Sequence, residues 1–359
     1  MTIIYFLIIL AVIIFVHELG HMLAAKLFGC YVNEFAIGFG PTVFKKVGKE
    51  TTYSLRAIPL GGFTGMVEKE NTPIKFDEEG NPTEFLNVPK ERTFYGVKIW
   101  QRVIILLAGP LFNMFLACLV FVMIFQINGY VTEAPPAVIK EVVAQSAADE
   151  AGFKAGDVIT KIVLKNGDTI IPKTFAEIVV GTQNSNDEMT YYVDRNGTEL
   201  IIRVTPKYSE TEQRYMIGIM ATDPVVRKIT FLQAIPEGIS YAFEIIGLTF
   251  EAIIGLFTGT QGLDSLGGTI SIYKYTEEAA SYGFLSLLSL VGSLSVSVGI
   301  MNLVPIPIFD GGKILLAGVE KIIGHRPSER VEMALSLIGV GIVLVLFVFV
   351  TYQDIMKLL

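Results

Sequence analysis

His17-Glu18-Leu19-Gly20-His21 sets two imidazoles four residues apart with a carboxylate beside the first. Residues four apart share one face of a helix, so both rings can reach the same ion. Glu18 would then stand within reach of a water held by that ion, which is what metal-assisted hydrolysis requires. A pair of histidines at the headgroup end of a membrane helix would show the same spacing. Two features favour the chemical reading. The chain has three histidines in all, and two of them fall at this interval. They also lie inside an apolar run, where each ionisable side chain costs about 3 kcal/mol to insert.

A second marked stretch is Asn302-Leu303-Val304-Pro305-Ile306-Pro307-Ile308-Phe309-Asp310-Gly311-Gly312. Two prolines in three residues break a helix and leave backbone groups unpaired. At membrane depth such a break persists only where it is buried in protein or lines a wet cavity. An aspartate there needs a partner, and a cation would serve. Asp310 could equally be the N-cap of a helix over residues 313–323. Spacing alone leaves the two readings level.

These residues need a membrane scaffold around them. Apolar residues make up 52% of the 359-residue chain and charged ones 18%, against about a quarter in soluble domains. Mean hydropathy is +0.55. Four segments, at about residues 2–28, 99–127, 284–303 and 333–352, approach the ~20 apolar residues that a bilayer requires. The first lacks the basic leader and cleavage site of a signal peptide, so it is expected to be retained. The stretch 231–257 is also apolar, but Glu237, Glu244 and Glu251 line one side of it. It is expected to lie on the membrane surface, with a fifth span as the lesser alternative.

Lysines and arginines crowd the connections after the first and third spans, among them Lys45, Lys46, Lys49, Arg92, Lys313 and Arg330. The positive-inside rule then puts both connections in the cytoplasm, and both termini and the central region outside it. A net charge of −7 with no basic block excludes a nucleic-acid partner. Cys30 and Cys118 are read as small core residues.

From about residue 133 to 207 the pattern becomes that of a soluble α+β domain. Runs at 137–143, 158–164 and 200–204 read as strands. Asn166-Gly167 and Asn196-Gly197 are turn signals, and 174–180 can form a helix. Between the first two spans, residues 42–47 and 51–58 flank Gly48-Lys49 and can pair as a hairpin.

H-E-L-G-H in the first span with N-x-x-P-x-P-x-x-D-G in a later one resembles the signature pair of the site-2 protease family, intramembrane zinc metalloproteases. The likeness is greatest to its bacterial RseP/RasP-like branch and covers nearly the whole chain. Gly109-Pro110-Leu111-Phe112-Asn113 resembles that family's G-P-x-x-N segment, and Pro59-Leu60-Gly61-Gly62-Phe63 its P-L-G-G-F motif. Ala151-Gly152-Phe153-Lys154-Ala155-Gly156-Asp157-Val158-Ile159 resembles a segment common in bacterial protease PDZ domains. Gly267-Gly268-Thr269-Ile270 has glycine where members often carry proline.

The resemblance implies a polytopic α-helical membrane protein with four core transmembrane helices, a re-entrant β-hairpin and an inserted α+β PDZ-like domain. Its divisions would be 1–130, 131–208, 209–283 (linker and surface helix) and 284–359. It implies one Zn²⁺ per chain on His17, His21 and Asp310, with Glu18 as general base and Asn302 and Asn113 as substrate contacts. Two imidazoles and a carboxylate suit zinc with a fourth position open to water. The implied partners are the lipid bilayer and single-pass transmembrane substrates of a bacterial cytoplasmic membrane, of the anti-sigma-factor or signal-peptide-remnant kind. A substrate helix must unwind before it is cut, and an edge strand such as 51–58 would hold it extended.

Two other classes stay in view. A metal-ion transporter would place its ligands at the midplane between repeated halves, and no repeat is visible. A non-catalytic PDZ adaptor would have no need of Glu18.

Overall fold

The computed structural model describes residues 1–70, 72–76, 82–183, 185–210, 212, 214–262 and 266–357. The chain divides into two compact units, residues 1–127 with 231–359, and residues 128–230.

The first unit opens with α1 (Thr2–Leu27), apolar apart from its histidine segment and Lys26. Two long strands follow, β1 (Val32–Val47) and β2 (Thr52–Met66). Gly38, Gly40 and Gly61 have φ of 87°, 81° and 124°, a region that side chains with a Cβ avoid, and both strands bend there. Residues 32–37 pair with 62–66, and 44–47 pair with 52–55 across the expected turn at Gly48. Residues 34–37 also lie opposite 52–55. Tyr53, Ser54 and Leu55 are therefore partnered on both sides, so the segment 51–58 is not the free edge expected from the sequence. Glu34 fastens this junction by accepting from Ser54 Oγ at 2.5 Å and Arg56 at 2.8 Å.

Strands β3 (Thr72–Phe76) and β4 (Pro82–Leu86) form a small separate pair. The chain then enters α2 (Ile99–Asn128), which carries Pro110 inside it.

The second unit holds a four-stranded antiparallel sheet in the order β10-β9-β7-β8. Its strands are β7 (Val158–Val163), β8 (Thr169–Ile170), β9 (Met189–Arg195) and β10 (Thr198–Val204). Asn196 and Gly197 both have positive φ, at 54° and 81°, as a two-residue hairpin between β9 and β10 demands. Two helices accompany the sheet, α3 (Ala147–Ala151) and α4 (Phe175–Thr182), capped by Ser146 and Thr174. Ile139, Phe153, Ile159, Ile162, Ile178, Tyr191 and Val193 build the core. The buried Tyr191 hydroxyl is satisfied by Thr182 Oγ1 at 2.8 Å.

Residues 209–230, expected as linker, instead continue this unit. After β11 (Lys207–Ser209) come β12 (Arg214–Met216), β13 (Ile219–Ala221) and β14 (Val225–Lys228). They pair with β11, with β6 (Ile139–Val142) and with β5 (Tyr130–Glu133) in turn.

The chain returns to the first unit with α5 (Ala234–Thr258), α6 (Thr269–Tyr282), α7 (Phe284–Leu303), α8 (Asp310–Ile323) and α9 (Glu329–Met356). Five helices among the described residues are long and apolar enough to cross a membrane: α1, α2, α5, α7 and α9. The sequence suggested four with a surface helix at 231–257; α5 adds a fifth by length and composition. It packs lengthwise, Gly238 against Val122 and Tyr241 against Phe121, with Ala242, Ile245, Ile246 and Ile253 joining a core with Ala117, Val296 and Ile300.

Candidate metal centre

The first ligand pair is set by α1, whose i, i+4 spacing aims His17 and His21 at one side. That side meets α2 at very short range. A Cβ on Gly20 would strike the Ala108 carbonyl oxygen, and one on Gly109 would strike the His21 ring and lie 2.9 Å from His17 Cε1. Two glycines, one on each helix, thus let the imidazoles approach the α2 backbone closely. Pro110 follows, and the Pro110 carbonyl is itself 3.1 Å from where a Cβ on Gly299 of α7 would sit.

The third donor arrives from the far end of the chain. α7 stops at Leu303, the backbone turns extended at Val304, and Pro305 and Pro307 prevent the helix from resuming. α8 then folds back so closely that Cβ atoms on Gly311 or Gly312 would collide with the carbonyls of Leu303 or Ile306. The N-cap of α8 is Phe309, no side chain caps it, and Asp310 is its first helical residue. The carboxylate turns to the histidines. This decides against the N-cap reading that the sequence left open.

Asp310 Oδ2 lies 3.3 Å from His17 Nε2 and 3.2 Å from His21 Nε2, and the two Nε2 atoms are 3.2 Å apart. Zinc bonds nitrogen and carboxylate oxygen at about 2.0–2.1 Å in a tetrahedral array. The edges of such a tetrahedron are about 3.3–3.4 Å, so the three atoms form one face of it to within about 0.2 Å. His21 Nδ1 is 2.8 Å from the Ile105 carbonyl and must donate to it. In the neutral ring that leaves Nε2 with a free lone pair, the form a metal needs. All three residues are buried, at 8%, 4% and 8% exposure. The donor set therefore fits zinc.

Glu18 is half-buried on the neighbouring face of α1. Its Cγ would be 3.3 Å from a Cβ on Gly62 of β2, and its carbonyl accepts from Thr64 Oγ1 at 2.9 Å. Asn113 is wholly buried, with Nδ2 3.3 Å from His17 Nδ1. Asn302 is turned to its own helix, donating to the Val298 carbonyl at 3.0 Å. The structure thus gathers His17, His21, Asp310 and Asn113, seats Glu18 beside β2, and shows no contact between Asn302 and the three donors among the described residues. Sequence reasoning missed the Ile105 carbonyl and the space made by Gly20 and Gly109. The Gly109-Pro110 pair was the available signal.

The model of the family described as "Peptidase family M50" matches residues 5–346. The chain belongs to peptidase family M50. Relatives of this M50 peptidase agree along its whole length. "Regulator of sigma-W protease RasP" of Bacillus subtilis is 29% identical over 99% of each chain. "Zinc metalloprotease RasP" of Geobacillus kaustophilus is 30% identical over 99% of this chain and 98% of its own. "Probable protease eep" of Enterococcus faecalis is 31% identical over 99% of each. With its apolar helices and its cluster of donors, this M50 peptidase is an intramembrane zinc metalloprotease of the site-2 type. The transporter and adaptor readings fall away.

Proposed function

We propose that His17, His21 and Asp310 hold the zinc, that Glu18 is the general base, and that the substrates are transmembrane segments of other membrane proteins. The triangle of donor atoms carries the ligand assignment. Bound there, zinc supplies the Lewis acid that activates water and polarises a peptide carbonyl. Glu18, beside the first ligand, takes a proton from the attacking water and delivers it to the departing amine. Burial of the donors keeps their charges strong by excluding bulk water, and Asn302 offers an amide that can turn from its own helix towards a substrate carbonyl.

A helix hides its carbonyls in its own hydrogen bonds, so a substrate must be held extended to be cut. The strand edge available for that is 62–66, which among the described residues has a strand partner on one side only. Thr64, Gly65 and Met66 line a cavity of about 380 Å³ whose other walls include Pro307, Ala317 and the Arg102–Glu320 ion pair. An added strand would run there past Glu18. The tip of β1 and β2 exposes Val43, Phe44, Val47 and Leu55, which supports a hairpin that re-enters the bilayer.

In the second unit, β13 is paired on one side by β6, and a small groove between α4 and residues 214–219 includes Ile178, Thr182, Ile217 and Gly218. This supports a PDZ-like module that takes an extended peptide by strand addition. The basic connections put the metal end of the membrane unit at the cytoplasmic face of a bacterial inner membrane, with the PDZ-like module and termini outside. Near the end of α9, Asp354 accepts from the N–H groups of Gly268 and Ser271 and from the Ser271 hydroxyl.

The test is a pair of variants of detergent-purified enzyme. Glu18→Gln should retain one zinc per chain and lose cleavage of a model transmembrane substrate by at least about 100-fold, because an amide cannot take the proton. Asp310→Ala should lose the metal. Full zinc occupancy in Asp310→Ala would remove that residue from the site.

A further inference from the structure

Asn113 presents two anomalies at one amide. Its Nδ2 lies 3.3 Å from His17 Nδ1, and its Oδ1, fully buried, has no hydrogen-bond partner among the described residues. The residue is 0% exposed, and its main-chain carbonyl accepts from Ser295 Oγ of α7 at 2.9 Å. The α2 backbone at this point is therefore pinned, and the side chain is committed to the histidine.

His17 Nε2 faces His21 Nε2 and Asp310 Oδ2. When that nitrogen holds the metal, the neutral ring carries its only proton on Nδ1. Nδ1–H would then point at an NH₂ group, donor against donor, while an acceptor on the same amide goes unused. The oxygen and nitrogen of an amide are nearly the same size, and their assignment follows from hydrogen bonding. A half-turn of the amide turns the opposed donors into a donor and an acceptor. It brings Oδ1 to about 3.3 Å from Nδ1 and sends the NH₂ to the place where Oδ1 finds no donor.

We infer that Asn113 accepts a hydrogen bond from His17 Nδ1–H through Oδ1 and is the positioning residue of the first metal ligand. It is the counterpart of the Ile105 carbonyl, which accepts from His21 Nδ1 at 2.8 Å. Residues 105, 109 and 113 are spaced by one helical turn and form a single stripe of α2 facing α1. The stripe reads carbonyl, gap, amide: Ile105 orients one imidazole, Gly109 leaves room for both, and Asn113 orients the other. Such outer partners fix the tautomer of a ligating histidine and raise its affinity for metal, and losing one typically costs 10–100-fold. Asn113 thus acts through His17 and need not touch the substrate.

The inference rests on the ligand assignment proposed above, and the experiment separates the two. Zinc affinity is measured by chelator competition on full-length protein carrying Asn113→Leu or Asn113→Asp, with His21→Ala alongside. Asn113→Leu, which fills the space but accepts nothing, should bind zinc about 10–100-fold more weakly and shift the visible spectrum of the cobalt-substituted protein. Asn113→Asp, with an acceptor on either side, should stay within about threefold of the wild type. Wild-type affinity and an unchanged cobalt spectrum in Asn113→Leu would overturn the inference. His21→Ala holding zinc as tightly as the wild type would overturn the ligand assignment beneath it.

The wild-type protein gives a reading that does not depend on a variant folding. With only three histidines in the chain, ¹⁵N-histidine NMR of the zinc form resolves each ring. His17 should show a protonated, hydrogen-bonded Nδ1 and a metal-bound Nε2. Metal on Nδ1 of His17, with the proton on Nε2, would refute the arrangement.

Discussion

Gly109→Ala adds one methyl group where α2 touches both histidines. A Cβ there would lie 2.9 Å from His17 Cε1 and 2.6 Å from His21 Cε1, and closer still to His21 Nε2. Carbon atoms rest about 3.5–4.0 Å apart, so the rings must retreat by about 1 Å. α2 cannot yield instead. Behind it, Gly299 of α7 lies against the Pro110 carbonyl and the Asn113 side chain. Metal sites tolerate donor displacements of about 0.2 Å, so a shift of about 1 Å should weaken zinc binding by about 100-fold or more. Overpacking costs about 1–3 kcal/mol, offset by about 1 kcal/mol because alanine is the better helix former. The variant should therefore fold and be short of metal. Elemental analysis of the purified protein, chelator competition and thermal unfolding read the three quantities. Gly341→Ala on α9 is the control, since a Cβ there meets nothing within 4 Å, and it should keep its zinc. A Gly109→Ala enzyme with a full complement of zinc and wild-type resistance to chelator would refute the packing argument.

Cysteines placed at Asn166 and Glu210 should react with an impermeant thiol reagent on intact cells, and one at Glu91 should react only after lysis; the opposite pattern would invert the protein. In the second unit, burial pushes the Asp157 carboxyl up, but the Arg195 guanidinium and the Lys154 N–H outweigh it and hold the group below the ordinary carboxylate range. Its pairing therefore contributes stability above about pH 4 and loses it as the pH falls through the folded-state value. Protection factors in β7 and β9, taken against the free-chain exchange rate at each pH, should fall below about pH 4, and Arg195→Ala should cost about 2 kcal/mol at neutral pH and flatten that dependence; protection that ignores both acid and Arg195 would count against it. Excising residues 128–230 should spare cleavage of an already shortened substrate, because every proposed catalytic group lies in the first unit. Failure of a folded, zinc-loaded core on short and long substrates alike would mean that the second unit helps to build the active site.

The histidine pair was legible because its meaning lies within one turn of one helix. Asp310 was legible only as a need for a partner: the sequence shows a broken helix with a carboxylate, and which way the carboxylate turns depends on α8 folding back over Gly311 and Gly312. The sequence of α2 alone does not show that Asn113 meets His17, since nothing in it records that α1 packs against that face. The hairpin at Gly48 was visible in its turn, but not that residues 34–37 would take a second partner, which follows from bends at Gly38, Gly40 and Gly61. Strands β12 to β14 have three or four residues each, too few for an alternation to emerge. The glutamates of α5 suggested a surface helix, and its packing along α2 and α7 was not visible in the spacing of those charges.

The three proposed donors come from opposite ends of the chain, and on that assignment the metal site is completed late in synthesis. His17, Glu18 and His21 enter the membrane with the first helix, long before the ribosome reaches Asp310. Until α7 is in place and the chain has broken and turned at its prolines, the half-made protein has two imidazoles and a base but no third donor. During that interval it sits among other unpacked membrane segments, the kind of chain it is proposed to cut. Dividing the metal site between the first helix and a late break makes hydrolytic competence one of the last properties acquired in synthesis.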